Sequence, residues 1–193
     1  MIAPTLYFDL ASPYAYLAVA RAASGLGLTP ALEPILLGAM FQWRGHGSWA
    51  HTPTRAAHMA EIEARARRYG LPAIVWPGEW PGNSLAAMRA AVWASELGRV
   101  DAFAQAVYRA QFVEGRSLSE AGLLAACAEA AGLPSDELTV AIARPEIKLR
   151  LREATAAAWA AGVRGVPTLA VGGALFYGDD QLEHAAAQWR GGD

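Results

Sequence analysis

Cysteine is nearly absent: Cys127 is the only thiol in 193 residues, so an internal disulfide is excluded and the chain cannot run dithiol exchange by itself. Cys127 sits in SEAGLLAACAEAAG on the same face as Leu123, Leu124 and Ala131, which marks it as a small core hydrophobe rather than a nucleophile. Long apolar runs are also missing, since no stretch approaches the roughly 18–20 residues of a spanning helix. The first residues, MIAPTLYFDL, lack a basic n-region and a small-residue cleavage pattern, and the expectation is a cytoplasmic protein. An excess of one charge is missing as well. At a formal net charge of −2 with 18% charged residues of interspersed sign, there is no electrostatic footprint for nucleic acid or an anionic membrane. What remains, at 54% hydrophobic, is a globular composition long enough for one core or for one domain carrying a large insertion.

The first informative stretch is YFDLASPYAYLA, residues 7–18. A β-rich run from Thr5 to Leu10 gives way at Ser12-Pro13 to a helix. Pro13 suits a first helical position because its missing N–H would have no partner there anyway. Ser12 is then at or beside the N-cap, where free backbone N–H groups and the positive end of the macrodipole can hold an anion as readily as they can end a strand.

Further along, this helix is expected to stop at Gly25 to Gly27, and ALEPILL (31–37) reads as a second strand whose proline favours an edge or bulge. From about residue 38 to 160 the signals are helical. The spacing predicts helices from Pro53 to Tyr69 with Gly70 as stop, from an Asn83 cap to Leu97, from Asp101, after a Ser117/Glu120 capping box, after a Ser135 cap, and from Pro145 to Gly162. The pattern then reverts to VPTLAV (166–171), a Gly172-Gly173 turn, ALFY (174–177) and a closing helix. The order β-α-β, helical block, β-β-α describes an α/β thioredoxin-like sheet formed by 1–40 and 160–193, with a large all-helical insertion at 41–159. The turn after the first strand then faces the loop before the Val-Pro strand.

Several motifs in order, FDLASPYAYLA, LLGAMFQWRGH, PGNSLAAMRA, YRAQFVEGRSLSE and GVRGVPTLAVGGALFYGDDQL, cover almost the whole chain. Together they resemble the 2-hydroxychromene-2-carboxylate isomerases and the related kappa-class glutathione transferases. The resemblance implies a DsbA-like thioredoxin fold, a homodimer, and glutathione as cofactor with a small aromatic carboxylate as substrate. It implies that Ser12 stands at the glutathione thiolate, and that Val166 and Pro167 present backbone groups to the tripeptide across a cis proline. Gly178, Asp179 and Asp180 would hold its γ-glutamyl end, and Arg55, with Gln42 and His46 nearby, would meet the substrate acid. Isomerisation about a conjugated C=C needs that bond made temporarily single, which a thiolate achieves by adding and later leaving. Four of the seven tryptophans, between Trp43 and Trp80, could supply flat walls for an aromatic ring. Against the family pattern, Ala15 replaces a frequent second serine, Gly45-His46 a G-N pair, Gln42 a basic residue and Gln181 an arginine. These departures lie around the ligands and bear on the substrate more than on the cofactor.

Plainer readings stand beside these. Serine leads at N-caps, and Asp179 and Asp180 are ordinary helix-start residues. Arg65, Arg67 and Arg68 read as a solvated helix face. His46, His51 and His58, spaced by five and seven, share no helical face and complete no ligand pattern, so no metal is expected. Two rivals remain open: glutathione transfer or peroxide reduction by the same thiolate, and a non-catalytic thioredoxin-like binding module.

Overall fold

The computed structural model describes residues 3–23 and 28–191. The expected helix stop at Gly25 to Gly27 lies outside the described residues. Strand β1 (Thr5–Phe8) lies inside a four-stranded sheet of order β2-β1-β3-β4. It pairs in parallel with β2 (Ala31–Pro34) and antiparallel with β3 (Thr168–Val171), which turns back into β4 (Ala174–Tyr177). Leu6 is opposite Leu32 on one side and Leu169 on the other, so the two ends of the chain meet in one sheet. Gly172 and Gly173, at φ +55° and +87°, supply the paired positive φ values that a tight two-residue hairpin turn requires.

The second strand is shorter than the apolar run ALEPILL. Pro34 has no N–H, so it cannot extend the ladder as a donor. Ile35 still gives its N–H to Phe8 (3.1 Å), but Leu36 turns to Thr155 Oγ1 (3.0 Å) and Leu37 to Asp9 Oδ2 (2.9 Å). Held by that carboxylate, Leu37 starts helix α2 (Leu37–Arg44), an element the pattern did not separate from its neighbours.

Helix α1 (Pro13–Ala23) follows β1. After α2 come a 3₁₀ turn (Trp49–His51), α3 (Arg55–Arg68), α4 (Leu85–Glu96), α5 (Val100–Phe112), α6 (Leu123–Ala130), α7 (Leu138–Ala141) and α8 (Pro145–Ala160). Gly70 and Gly98 end α3 and α4 with positive φ (+69° and +66°), as the sequence predicts. Asn83 Oδ1 accepts the Leu85 N–H at 2.9 Å. The Ser117/Glu120 capping box does not form. Glu120 is drawn to Arg116 (2.7 Å), Ser117 Oγ accepts from the Ser119 N–H instead, and α6 begins only after Gly122; a charge-assisted bond has outcompeted a neutral cap. Ser135 likewise makes no side-chain cap and begins a 3₁₀ turn.

A single core runs through sheet and helices. Phe8 meets Tyr108 of α5, which is packed against Tyr16 of α1 and Phe112. Cys127 is buried, and burial pushes its thiol up to about 11. Helix α8 packs on β2 and α4, so the boundary drawn at 160 assigns to the insertion a helix that covers the sheet. Helix α9 (Leu182–Gly191) packs on β3 and β4.

Candidate active site

The turn from β1 into α1 is clamped from several directions. Tyr108 and Gln111 of α5 donate to the Asp9 and Leu10 carbonyls (3.0 and 2.8 Å), and Trp80 Nε1 donates to the Ala11 carbonyl (3.2 Å). The buried Asp9 carboxylate accepts the N–H groups of Ala11 and Leu37, each at 2.9 Å. Burial raises the Asp9 pKa, and those N–H bonds, together with a hydrogen bond from the Ser84 side chain, offset the rise only in part. The sequence reading passed over this residue although it stands in the same YFDLASPYAYLA stretch.

Ser12 is 5% exposed. Its Oγ accepts the Ala15 N–H at 3.2 Å, so it is an N-cap in fact. The bond uses an oxygen lone pair and leaves the hydroxyl proton free to be donated. Across from it, the Val166–Pro167 peptide is cis. Thr168 Oγ1 donates to the Gly165 carbonyl (2.7 Å) and Gly178 N–H to the Pro167 carbonyl (3.0 Å), which fixes the chain on both sides of Val166.

Two cavities meet here, sharing Ser12, Leu37, Phe41 and Trp49 as walls. The smaller, about 400 Å³, is bounded by Val166, Pro167, Gly178, Asp179 and Asp180, and by His58, Glu61 and Arg65 of α3. The larger, about 670 Å³, is lined by Gln42, Trp80 and the starts of α1, α2 and α4. An aromatic stack, Trp76, Trp80, Trp49 and His58, with centroid spacings of 4.8, 5.2 and 4.6 Å, runs beside both.

The smaller cavity is a charged network. Asp179 has no exposed surface, and its two oxygens take Arg65 Nη1 (2.8 Å) and Tyr69 OH (2.9 Å). Burial raises the Asp179 pKa, against the pull of Tyr69 and Arg65, and the Tyr69 phenol is pushed up to about 12 by burial and by that carboxylate. Arg21 lies over the Tyr69 ring and donates to the Asp179 carbonyl and to Glu183. Arg65 also holds Glu61 (2.6 Å) and approaches Asp180 at 3.6 Å. It is therefore a ligand of buried carboxylate rather than part of a solvated face; only Arg67 and Arg68 of that trio are exposed. Tyr14 OH joins His58 Nδ1 (2.9 Å) to Glu61 Oε2 (3.2 Å).

Of the residues singled out from the sequence, Ser12, Val166, Pro167, Gly178, Asp179 and Asp180 come together around the smaller cavity, and Gln42 lines the larger. His46 and Arg55 line neither. His46 is exposed, its ring nearest the Gly47 carbonyl. Arg55 donates to the carbonyls of Trp80 (2.8 Å) and Ala50 (3.3 Å) and lies over the Trp80 ring, so its guanidinium braces the loops rather than facing a ligand. Tyr14, His58, Glu61 and Arg65 were missed as site residues, whereas Trp49 is one of the four tryptophans expected as ring walls. The Tyr of S-P-Y was the only local signal among them.

This fold defines a class. The family model of the DSBA-like thioredoxin domain matches residues 5–189, and the chain belongs to that family. Within it, the chain is 27% identical over 183 residues to the 2-hydroxychromene-2-carboxylate isomerase of Sphingobium xenophagum, 92% of each chain being covered. A solved 2-hydroxychromene-2-carboxylate isomerase superposes with a TM-score of 0.86 at 24% identity, covering 97% of this chain and 94% of that one. A cytosolic disulfide reductase from Pseudomonas aeruginosa, solved with GSH, gives 0.66 at 20% identity, with 98% and 96% covered. These likenesses establish the fold and support an isomerase or a DsbA-like oxidoreductase. No helix among the described residues is long and apolar enough to cross a membrane.

Proposed function

We propose that the protein is a glutathione-dependent isomerase of an aromatic carboxylic acid, similar to the 2-hydroxychromene-2-carboxylate isomerases. The observation that carries this reading is the Ser12 hydroxyl, held as an acceptor by its own helix and left with an unengaged proton at the wall between two cavities. A free thiol near pKa 8.5 is mostly protonated at neutral pH, and one hydrogen bond to a charged group contributes about 1.5–3 kcal/mol, which lowers a thiol pKa by roughly one to two units. The oxidoreductase alternative lacks its reagent, because S-P-Y-A carries no sulfur and Cys127 is buried on α6.

In this reading the smaller cavity takes the tripeptide. Val166 meets its backbone, and the γ-glutamyl end, which carries an ammonium and a carboxylate, meets Asp180 and Arg65. Asp179 serves from behind, since both of its oxygens are occupied. The larger cavity takes the aromatic acid between Trp49, Trp80 and Gln42. The bound thiolate adds to the conjugated carbon, the bond rotates as a single bond, and the thiolate leaves.

The test is a titration of thiolate absorbance in the glutathione complex. Ser12→Ala raises the bound thiol's pKa by roughly one to two units; an unchanged titration removes Ser12 from the mechanism. One observation favours the second reading, transfer of glutathione to an electrophile: among its described lining residues the larger cavity has no Arg or Lys to hold a carboxylate. Conjugation of chlorodinitrobenzene together with inertness toward a chromene carboxylate would establish that reading instead.

A further inference from the structure

His58 is the only imidazole among the described residues lining the smaller cavity, and its hydrogen bonds fix which nitrogen can accept a proton. Glu61 Oε1 is held by Arg65 Nη2 (2.6 Å) and Nε (3.1 Å), and Oε2 faces the Tyr14 hydroxyl at 3.2 Å. Desolvation alone would raise the Glu61 pKa, but the Arg65 and Tyr14 bonds outweigh it and the net shift is downward. The carboxylate is therefore ionised and can only accept. Tyr14 has one proton, and it goes to Glu61. His58 Nδ1, 2.9 Å from the same phenol oxygen, must then be the N–H that donates to it. The lone pair is left on Nε2, for which no hydrogen-bond partner is found among the described residues.

We propose that His58 is the proton acceptor for a thiol bound in the smaller cavity. Nε2 takes the S–H proton, the electron pair stays on sulfur, and the resulting imidazolium is held through Nδ1–H by Tyr14 and, behind it, by Glu61. Ser12 donates a hydrogen bond and stabilises the thiolate; it has no means of removing the proton, so the two residues divide the task. The ring is fixed for this role by its stack on Trp49 at 4.6 Å and by the edge of Tyr14. The charged groups of the cavity are Glu61 and Arg65 on α3, Arg44 on α2, and Asp179 and Asp180 after β4, with the phenols of Tyr14 on α1 and Tyr177 on β4. Tyr14 and Glu61 are positioning residues for His58.

This inference rests on the glutathione reading above, and calorimetry of glutathione binding in two buffers of different ionisation heat separates the two. The difference between buffers counts protons released. At pH 7.5 the wild-type protein keeps the thiol proton on His58, so it releases fewer protons per glutathione than His58→Gln, by roughly half a proton. Tyr14→Phe falls between the two. In the isomerase assay, kcat of His58→Gln drops on the order of 10²-fold, and the limb of its pH profile that belongs to the imidazole disappears. Equal proton counts for wild type and His58→Gln, with glutathione bound and Ser12 still controlling the thiolate titration, overturn the role of His58 alone. Absence of saturable heat up to millimolar glutathione in the wild-type protein overturns both readings.

Discussion

The two cavities that meet at Ser12 are built from opposite materials. The smaller is walled by charges that already have partners: Arg65 holds Glu61 and Asp179, and Tyr69 holds Asp179 from the other side. The larger is walled by aromatic, aliphatic and polar side chains, with no Arg or Lys among its described lining residues, and the carboxylate it contains, Asp9, is turned toward the backbone of α2 and of its own turn. A paired network is pre-oriented for a zwitterion, because each added charge finds a counter-charge already fixed. An aromatic box is suited to a flat ring and is indifferent to most of its substituents. On the function proposed above, cofactor recognition falls to one region and substrate choice to the other.

Five substitutions would break or sharpen that contrast. The largest effect is expected from Asp179→Ala, which strands Arg65 and Tyr69 around a lost carboxylate; removing one partner of a buried pair costs about 3–5 kcal/mol. Chemical denaturation should record that loss together with loss of glutathione heat. If the variant unfolds too readily to be titrated, Tyr69→Phe removes one of the bonds and is expected to cost about 1 kcal/mol. Ser12→Ala comes next: beyond its effect on the thiol it removes a working N-cap, so the denaturation midpoint should report a loss of about 1 kcal/mol. A variant as stable as wild type would show that the Ala15 bond contributes nothing.

Arg55→Lys sharpens the contrast from the other cavity. Lysine keeps the charge but not the planar fork that reaches the Ala50 and Trp80 carbonyls. Stability should fall by about 1 kcal/mol while KM for an aromatic acid stays within roughly threefold; a KM rise of tenfold or more (about 1.4 kcal/mol) would return Arg55 to substrate binding. The smallest effect concerns pH. The Asp9 pKa is raised in the folded protein, so between the ordinary carboxylate value and its raised value the native state binds more protons than the unfolded chain. Its contribution to stability is present at low pH and is lost as pH rises through that window. Comparing wild type with Asp9→Asn from about pH 4 to 7 should show the wild type losing ground as pH rises, and a flat difference would contradict it.

How far the sequence could be read depended on how local each signal was. Ser12-Pro13, Gly172-Gly173 and the glycines after α3 and α4 act within a few residues, and the structure places them where the pattern did. The Ser117/Glu120 box failed because its glutamate had a stronger partner one turn away in Arg116. Pro34 ends a strand although the apolar run continues to Leu37, since Asp9 captures the next helix start. His58, Glu61 and Arg65 were illegible as site residues because the groups that define them, Tyr14 and Asp179, lie far along the chain.

The sequence by itself determined the turn chemistry, the helix stops, the absence of a redox cysteine pair and the β-α-β/β-β-α order that obliges the two ends to share a sheet. Only the tertiary structure decided which charges pair, that Arg55 braces a loop, and that His58 faces a cavity with Nδ1 held by Tyr14. The physical reason is that caps and turns are settled by backbone bonds within one or two turns of chain, whereas a guanidinium or an imidazole takes its role from whatever the fold brings within 3 Å.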